Sequence, residues 1–536
     1  MKLHGTFADC CVRMIYVFFG VMMAGILGLC LFFSDCNYAC RKIWLPSFFL
    51  LLCGTVGCAL ICRAVSRILK CASDESNFFR SYICISICFS VVQVIAVYNY
   101  FFITGWDVAL VVQGSRAIAH DSLGMFDYAY YSVYPNNLEI TLLFSLIIRL
   151  AHSIGLHEHE YFCLILFQCG ICWLAGILLY QTLKAIRLSP TFVLAGCVLF
   201  LVLVGMSPWV VIPYSDATGL VFPILITYLY VDCPKRLNGW KWFLIAAISY
   251  FGCRIKPQIC IITIAILIVS VLGTISRREI SGRQVFLKAG YFLAGAGLAA
   301  LIFTAGVKSI GLELDAERKF GISHYLMMGM NRETMGVYRS EDVKFSVGFE
   351  TQAERTAGNL KVTAERIKDM GPAGFLKQIA RKTLTNYNDG TFAWCVEGSF
   401  FTEILPEGDN FLSRFLRSIY YPPEQGGEYY RIWSNFEQAV WLNILLLSAF
   451  SVIAKKESTI AVIMLAIIGL TVFEAIFEAR ARYLYIYAPL YIVLAAKGLE
   501  TIAFFIRKKV HSKIPARPCL ERSGNRHPMA GADRQL

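Results

Sequence analysis

Apolar runs suited to a bilayer recur along the chain, separated by short polar stretches. They fall near residues 14–33, 44–62, 79–104, 138–152, 162–183, 191–207, 217–232, 241–253, 258–275, 286–307, 438–454, 459–477 and 483–506. A helix crosses the hydrocarbon core with about 20 apolar residues, so each run predicts a membrane helix, several of them short. Two stretches, 105–137 and 308–437, are polar enough to lie outside the membrane, and the second is long enough for a small folded domain. The pattern predicts N-terminal helices over 1–78 and a membrane core over 79–307 that carries the 105–137 loop. An external mixed domain or loop over 308–437, C-terminal helices over 438–506 and a basic tail over 507–536 follow. No internal repeat is visible.

Composition fixes the class. Of 536 residues, 57% are hydrophobic and 16% charged, and the mean hydropathy is +0.58. A soluble domain carries about 25% charged residues. These values exclude a single soluble protein and a disordered chain. What remains is an all-α polytopic membrane protein with about 12–14 transmembrane helices, because lipid can solvate that much apolar surface. The net charge of +13 does not point to nucleic acid, since the basic residues sit in short runs beside apolar segments, as topology signals and lipid headgroups require.

Those runs set the orientation. Arg63, Arg67 and Lys70 mark one cytoplasmic loop, Lys235 and Arg236 another, Arg277, Arg278 and Arg283 a third, Lys455 and Lys456 a fourth. The tail, with Lys508, Lys509, Lys513 and Arg517, is cytoplasmic by the same rule. Counting from the N-terminus places 105–137 outside. Counting back from the tail places 208–219, 254–257, 308–437 and 478–482 outside. Thirteen crossings cannot leave both termini on one side. The conflict lies in 138–187, where a short run precedes His157, Glu158, His159 and Glu160, so one segment there is re-entrant or miscounted.

The twenty cysteines lie mostly within apolar runs, where they act as small hydrophobes. No metal-type CxxC pair has a matching second half, so zinc is not expected. Cys36 and Cys40 share a polar loop and could pair if exported, with free thiols the expected state. Lys2 and Arg13 precede an apolar run too long for a signal-peptide core, which reads as a retained helix.

Candidate chemistry begins at Asp107, in ITGWDVALVVQGSRAIAHDS. Apolar positions at 108, 111, 112 and 118 predict an amphipathic helix lying on the membrane surface. A carboxylate there can accept a proton from an alcohol or hold a metal that carries a phosphate; the other reading is a helix cap. In YYSVYPNNLEITLLF, Asn136 and Asn137 offer amides, and Tyr130, Tyr131 and Tyr134 offer aromatic faces for sugar hydroxyls. A loop-to-helix cap with interfacial tyrosines fits the same string. In SPWVVIPYSDATG, Asp216 is a second carboxylate that could position an acceptor, or part of a polar turn.

In RIKPQ, Arg254 and Lys256 are cations on the outer side, against the positive-inside bias. A phosphate ligand explains them, as does snorkelling to headgroups. Arg480 and Arg482 in EAIFEARARYLYIYAPL repeat the signal, with Glu474 and Glu478 a turn apart before them. They read as ligands of a phosphate-linked lipid or as structural ion pairs. The 308–437 stretch carries HYLMMGMNRETMGVYRSEDVKFS and NYNDGTFAWCVEGSFF. In the second, Asn388, Asp389, Trp394 and Glu397 suit a carbohydrate surface or a compact loop.

An acidic residue in the first large external loop, a surface helix after it, many membrane helices and a late external loop resemble the GT-C superfamily. Its members are polytopic glycosyltransferases that use polyprenyl-phosphate sugars, among them the protein O-mannosyltransferases and the lipid A aminoarabinose transferases. The strings YPNNL, YSD, KPQ, MMGMNRETMGVY, NDGTFAW and EARARYLY resemble more narrowly a group of Gram-positive integral membrane proteins. That group is classed with the glycosyltransferase 39-like enzymes and is partly associated with exosortase-type systems. The resemblance covers residues 80–506. It implies a GT-C-like fold with the catalytic acid at Asp107. It also implies lipid-phosphate contacts among Arg254, Lys256, Arg480 and Arg482, and substrate contacts at Tyr134, Asn136, Asn137 and Asp216.

Many relatives carry a paired Asp-Glu where Val108 follows Asp107 here. A divalent cation is therefore the one candidate cofactor and has no assured ligand set. Asp121, Asp127 and Asp216 are candidates for a second carboxylate. The expected activity is transfer of a sugar from a polyprenyl phosphate to an acceptor hydroxyl of the cell envelope, at the outer face of a multi-pass cell-membrane protein. Membrane lipids and the lipid-linked donor are the expected partners, and nucleic acid is not. The alternatives are a transporter or flippase of lipid-linked sugars and a non-catalytic envelope-assembly protein.

Overall fold

A computed structural model describes residues 7–33, 45–71, 76–232, 238–276, 282–405 and 410–511. Cys36, Cys40, Lys235, Arg236, Arg277, Arg278 and the tail beyond 511 lie outside the described residues. Every apolar run becomes a helix, because a backbone in lipid satisfies its hydrogen bonds within the segment. In chain order the first elements are α1 (Phe7–Phe32), α2 (Ser47–Cys71), α3 (Ser76–Tyr100), β1 (Phe102–Thr104), α4 (Trp106–Ala119), α5 (Tyr128–Val133) and α6 (Leu138–Ser153). Then come α7 (Glu160–Ala185), α8 (Pro190–Phe200), α9 (Ser215–Gly219), α10 (Val221–Val231), α11 (Gly239–Ile255), α12 (Cys260–Ser276) and α13 (Gly282–Ile310). The last are α14 (Ile322–Gly329), α15 (Ser340–Val347), α16 (Gln352–Tyr387), β2 (Phe401–Ile404), α17 (Phe411–Tyr420), α18 (Tyr430–Phe450), α19 (Ser458–Ile476) and α20 (Ala488–His511). Among the described residues, nine helices are long and apolar enough to cross a membrane, and 190–205 and 215–231 add shorter apolar ones. The protein is an all-α polytopic membrane protein.

The path through 138–187 shows how α6 lies. α3 and α7 run antiparallel. At one end the Tyr82 hydroxyl donates to the Gly176 carbonyl at 2.9 Å. At the other, Tyr98 and Phe101 pack on Phe162 with ring centroids 5.3 and 5.2 Å apart. α4 stays at that second end throughout: its start is tied to β1, and Arg116 near its finish pairs with Glu160 at the start of α7. α6 lies alongside α4. Ser115 Oγ donates to the Thr141 carbonyl at 3.1 Å, and Arg149 Nη2 donates to the Ile118 carbonyl at 2.8 Å.

Both ends of α6 are therefore on one face of the bundle, and the run at 138–152 does not cross. Among the described residues, α6 is not one of the nine helices with the length and apolarity a crossing needs. Tyr16 of α1 and Lys497 of α20 both reach Glu457, in the loop between α18 and α19 at the opposite face.

Between α13 and α18 the chain stays attached to the bundle. β1 and β2 pair antiparallel, with Phe102 opposite Ile404 and Ile103 opposite Glu403, so the first polar loop is sewn to the second. α16 starts with a capping box between Thr351 and Glu354 and bends at Gly371, whose φ of 58° precedes Pro372. Beyond the bend it dips among α18, α19 and α20. The Tyr387 hydroxyl lies 2.6 Å from Thr471 Oγ1 and 2.7 Å from the Tyr491 hydroxyl. Lys382 donates to the carbonyls of Gly329 at 2.9 Å and Phe477 at 2.5 Å.

Candidate functional site

Asp107 stands in the first turn of α4, and the apolar positions expected to face inward do so: Val108, Val111, Val112 and Ile118 are buried. Trp106 precedes it with a φ of 49°, a left-handed conformation that costs a non-glycine residue energy and must be held by its surroundings. The indole donates from Nε1 to Thr104 Oγ1 at 3.2 Å and meets the Tyr214 ring edge-on at 4.9 Å. The Tyr214 hydroxyl lies 3.3 Å from Asp107 Oδ2 and 3.4 Å from Asn137 Oδ1, and its one proton can serve either. Asn137 donates from Nδ2 to the Tyr130 hydroxyl at 2.5 Å. Burial raises Asp107 above the ordinary carboxylate range, with the charge of Arg482 and the hydroxyls of Tyr130 and Tyr214 pulling the other way.

Behind this group lies a lattice of buried ion pairs. Asp216, in the first turn of α9, holds Lys256 on Oδ1 and accepts from Arg482 Nη1 on Oδ2 at 3.0 Å. Arg482 Nε is 3.0 Å and Arg480 Nη1 is 3.3 Å from Glu397 Oε2. Arg480 Nε donates to Glu478 Oε1 at 2.9 Å, and the Tyr483 hydroxyl donates to Oε2 at 3.1 Å. The Arg482 guanidinium carbon sits 4.6 Å from the Trp106 ring centroid, which joins the lattice to Asp107. Burial pulls Lys256 down to about 8, with Asp216 opposing the shift. Burial works against charge on Glu478 more than any one neighbour favours it, but Arg480, Arg482 and the Tyr483 hydroxyl together outweigh it and hold the carboxyl below its ordinary value.

The conspicuous strings exist to deliver these side chains. In NDGTFAWCVEG, Asp389 accepts from Thr391 N at 2.9 Å, Thr391 Oγ1 at 2.8 Å and Ala393 N at 2.9 Å. Phe392 and Ala393 both adopt positive φ. A Cβ on Gly390 would sit 2.3 Å from the Glu437 carbonyl oxygen, so only glycine fits that approach. The turn ends by presenting Glu397. MMGMNRETMGVY cradles the loop before Arg480: the Ala479 amide donates to the Gly336 carbonyl at 2.9 Å, and a Cβ on Gly329 would meet Phe477 backbone at 2.5 Å.

Of the expected site residues, Asp107, Asn137, Asp216, Lys256, Arg480 and Arg482 come together. Tyr134 feels the charges of Asp107 and Glu478, and Asn136 reaches the group through Asn137 at 3.2 Å. Arg254 does not join. Its guanidinium lies over the Phe303 ring at 4.3 Å, and Glu139 is within its field. Asp121 pairs with Arg149 and Asp127 caps α5, so neither supplies a second carboxylate to Asp107. Glu478, Glu397, Tyr130 and Tyr214 belong to the group. The sequence placed them near candidates without assigning them to Asp107; the only local signal was their density of carboxylates and tyrosines.

The donor set beside Asp107 fits a cation poorly. Magnesium and calcium need several oxygen ligands. Here Asp107 is accompanied by phenolic hydroxyls and by the positive field of Arg482 and Arg480, while Asp216 is committed to Lys256 and Arg482.

A family model described as a conserved hypothetical integral membrane protein matches residues 6–502. The chain belongs to that family. No curated protein matches it. Every residue of the charged group lies within the span shared with the family.

Proposed function

We propose that the protein is a glycosyltransferase of GT-C type that moves a sugar from a polyprenyl phosphate to an acceptor hydroxyl. The observation that carries this reading is Asp107, half-buried on a face-lying helix and within the field of two arginines. Burial makes its carboxylate a better base than a free aspartate. It takes the acceptor proton as the acceptor oxygen bonds to the anomeric carbon. The bond from that carbon to the phosphate oxygen breaks, and the phosphate leaves with the electron pair. Attack opposite the leaving group inverts the anomeric centre.

Arg480 and Arg482, held by Glu397, Glu478 and Asp216 through Nε and Nη1, supply the positive charge for the developing phosphate. Tyr134 and Asn136 line the approach for the sugar. An outward orientation is supported by the positive-inside rule, since Arg63 and Arg67 lie toward the end of α2, Lys184 in the last turn of α7, Lys455 and Lys456 between α18 and α19, and Lys508 toward the end of α20.

The test is transfer from a defined polyprenyl-phosphate sugar by the purified protein and its Asp107→Asn variant. Loss of about 10²–10⁴-fold in rate with an unchanged melting temperature is the expected result. Undiminished transfer by the variant removes Asp107 from the chemistry. Translocation of the lipid-linked sugar by wild type without transfer decides for a flippase. Neither activity, with capture of envelope proteins, decides for an assembly role.

A further inference from the structure

At the far end of α4 from Asp107, three helix ends meet around one carboxylate. His120 caps the C-terminus of α4, His152 lies in the last turn of α6, and Glu160 opens α7. His120 Nε2 is 2.8 Å and His152 Nε2 is 2.6 Å from the same oxygen, Glu160 Oε1. All three ligand atoms lie within 4.8 Å of one another. The second oxygen, Oε2, accepts from Arg116 Nε at 2.6 Å. The imidazoles of His120 and His152 are 4.5 Å apart between centroids, and exposed His157 follows at 4.4 Å from His152. Glu160 is buried while His120 is exposed, so the group is anchored on one side and open on the other.

We propose that His120, His152 and Glu160 bind a transition-metal dication of the zinc class. Two imidazoles and a carboxylate are a borderline donor set that zinc accepts tetrahedrally and that magnesium and calcium do not favour. Ligand atoms around a tetrahedral zinc stand about 3.3 Å apart. The two nitrogens need only draw back slightly from Oε1 to admit the ion. Each Nε2 now points a hydrogen at Oε1. When the metal enters, a neutral imidazole carries its proton on Nδ1 instead, and an imidazolium releases one to solvent.

Arg116 keeps Oε2 and fixes the carboxylate, as an outer partner of a ligand does. The C-terminal carbonyl ends of α4 and α6 point partial negative charge toward the site and the N-terminus of α7 points partial positive charge, two against one in favour of a cation. The fourth position, on the open side, is taken by water or by His157. The cysteine spacing gave no reason to expect zinc, and no cysteine takes part. The ion clamps the face-lying helices α4 and α6 to the crossing helix α7.

The experiment uses the full chain, purified in detergent, freed of any histidine tag and stripped with a chelator. Zinc and cobalt chloride are titrated against it by calorimetry, and cobalt also by its visible absorption. One equivalent bound, with the intense bands of four-coordinate cobalt, is the expected result. The double variant His120→Gln/His152→Gln is expected to lose at least about tenfold in affinity. The melting temperature should rise with zinc in wild type and not in the double variant, while millimolar magnesium leaves both unchanged. Arg116→Gln tests the same site without removing a ligand and is expected to weaken binding by about tenfold. Absence of stoichiometric binding by wild type overturns the proposal, as does equal binding by the double variant.

Discussion

At the start of α4, Asp107 faces a lattice in which Asp216, Glu397 and Glu478 are matched with Lys256, Arg480 and Arg482, drawn from separate loops and largely buried. At its other end, Arg116 and two histidines meet Glu160 in a group built by adjacent helices and half open to water. The difference is one of solvent. Where water is excluded, a charge left without its partner is costly, so the lattice must be complete. Where water enters, it can stand in for a missing partner. The first arrangement therefore ties function to folding, and the second leaves room for exchange with an outside ion.

The sharpest way to break this contrast is to remove one cation from each end. Arg482→Met leaves Asp216 with Lys256 alone and Glu397 with Arg480 alone, three buried cations become two against three acids, and the loss should be about 3–5 kcal/mol of stability. Arg116→Met, where the side chain is 43% exposed, should cost no more than about 1 kcal/mol. Thermal unfolding of the purified variants measures both, and equal losses would erase the distinction.

A smaller effect sharpens the Asp107 end alone, in the assay of the proposed transfer. Tyr214→Phe takes a hydroxyl from Asp107 and should cost about 1.5–3 kcal/mol in transfer, read as kcat/KM. Asp107 accepts a proton only as the carboxylate. Because burial raises its pKa above the ordinary 3.8, transfer should fall as pH drops through that raised value and recover above it. The Tyr214 hydroxyl favours the charged form, so Tyr214→Phe should move this limb to still higher pH. A limb that stays in place would mean that another group sets it.

The smallest effect is expected at Arg254, which lies on Phe303 outside the lattice. Arg254→Ala should leave transfer within about 0.5 kcal/mol of wild type. A large loss there would extend the site beyond the residues that converge on Asp107.

Local features were readable and remote ones were not. Each apolar run maps onto a helix because hydrophobicity is a property of neighbouring residues. Whether α6 crosses was not readable, since a short apolar helix has the same composition lying flat as spanning; its partners on α4 decide. Lys256, Arg480 and Arg482 stood out because the count of apolar runs reads them as cations on the outer side, against the positive-inside bias, and Arg254 shared that signal without sharing their partners. The Glu–Arg ion pairs weighed as an alternative for the 474–490 string are present at Glu478 and Arg480. They coexist with the lattice rather than replacing it. The pairing of Phe102 with Ile404 and the meeting of His120 with Glu160 leave no periodic trace in the chain.

The lattice also has a history in time. Arg482 emerges from the ribosome 266 residues after the Asp216 it neutralises. At about 5–20 residues per second, that is a wait of roughly 13–53 s. Until then the Asp216 carboxyl has only Lys256, made 40 residues after it, as its cation in the lattice. A nascent chain cut short before Arg480 would leave Glu397 without either of its arginines, a mark by which membrane quality control can tell an unfinished protein from a finished one.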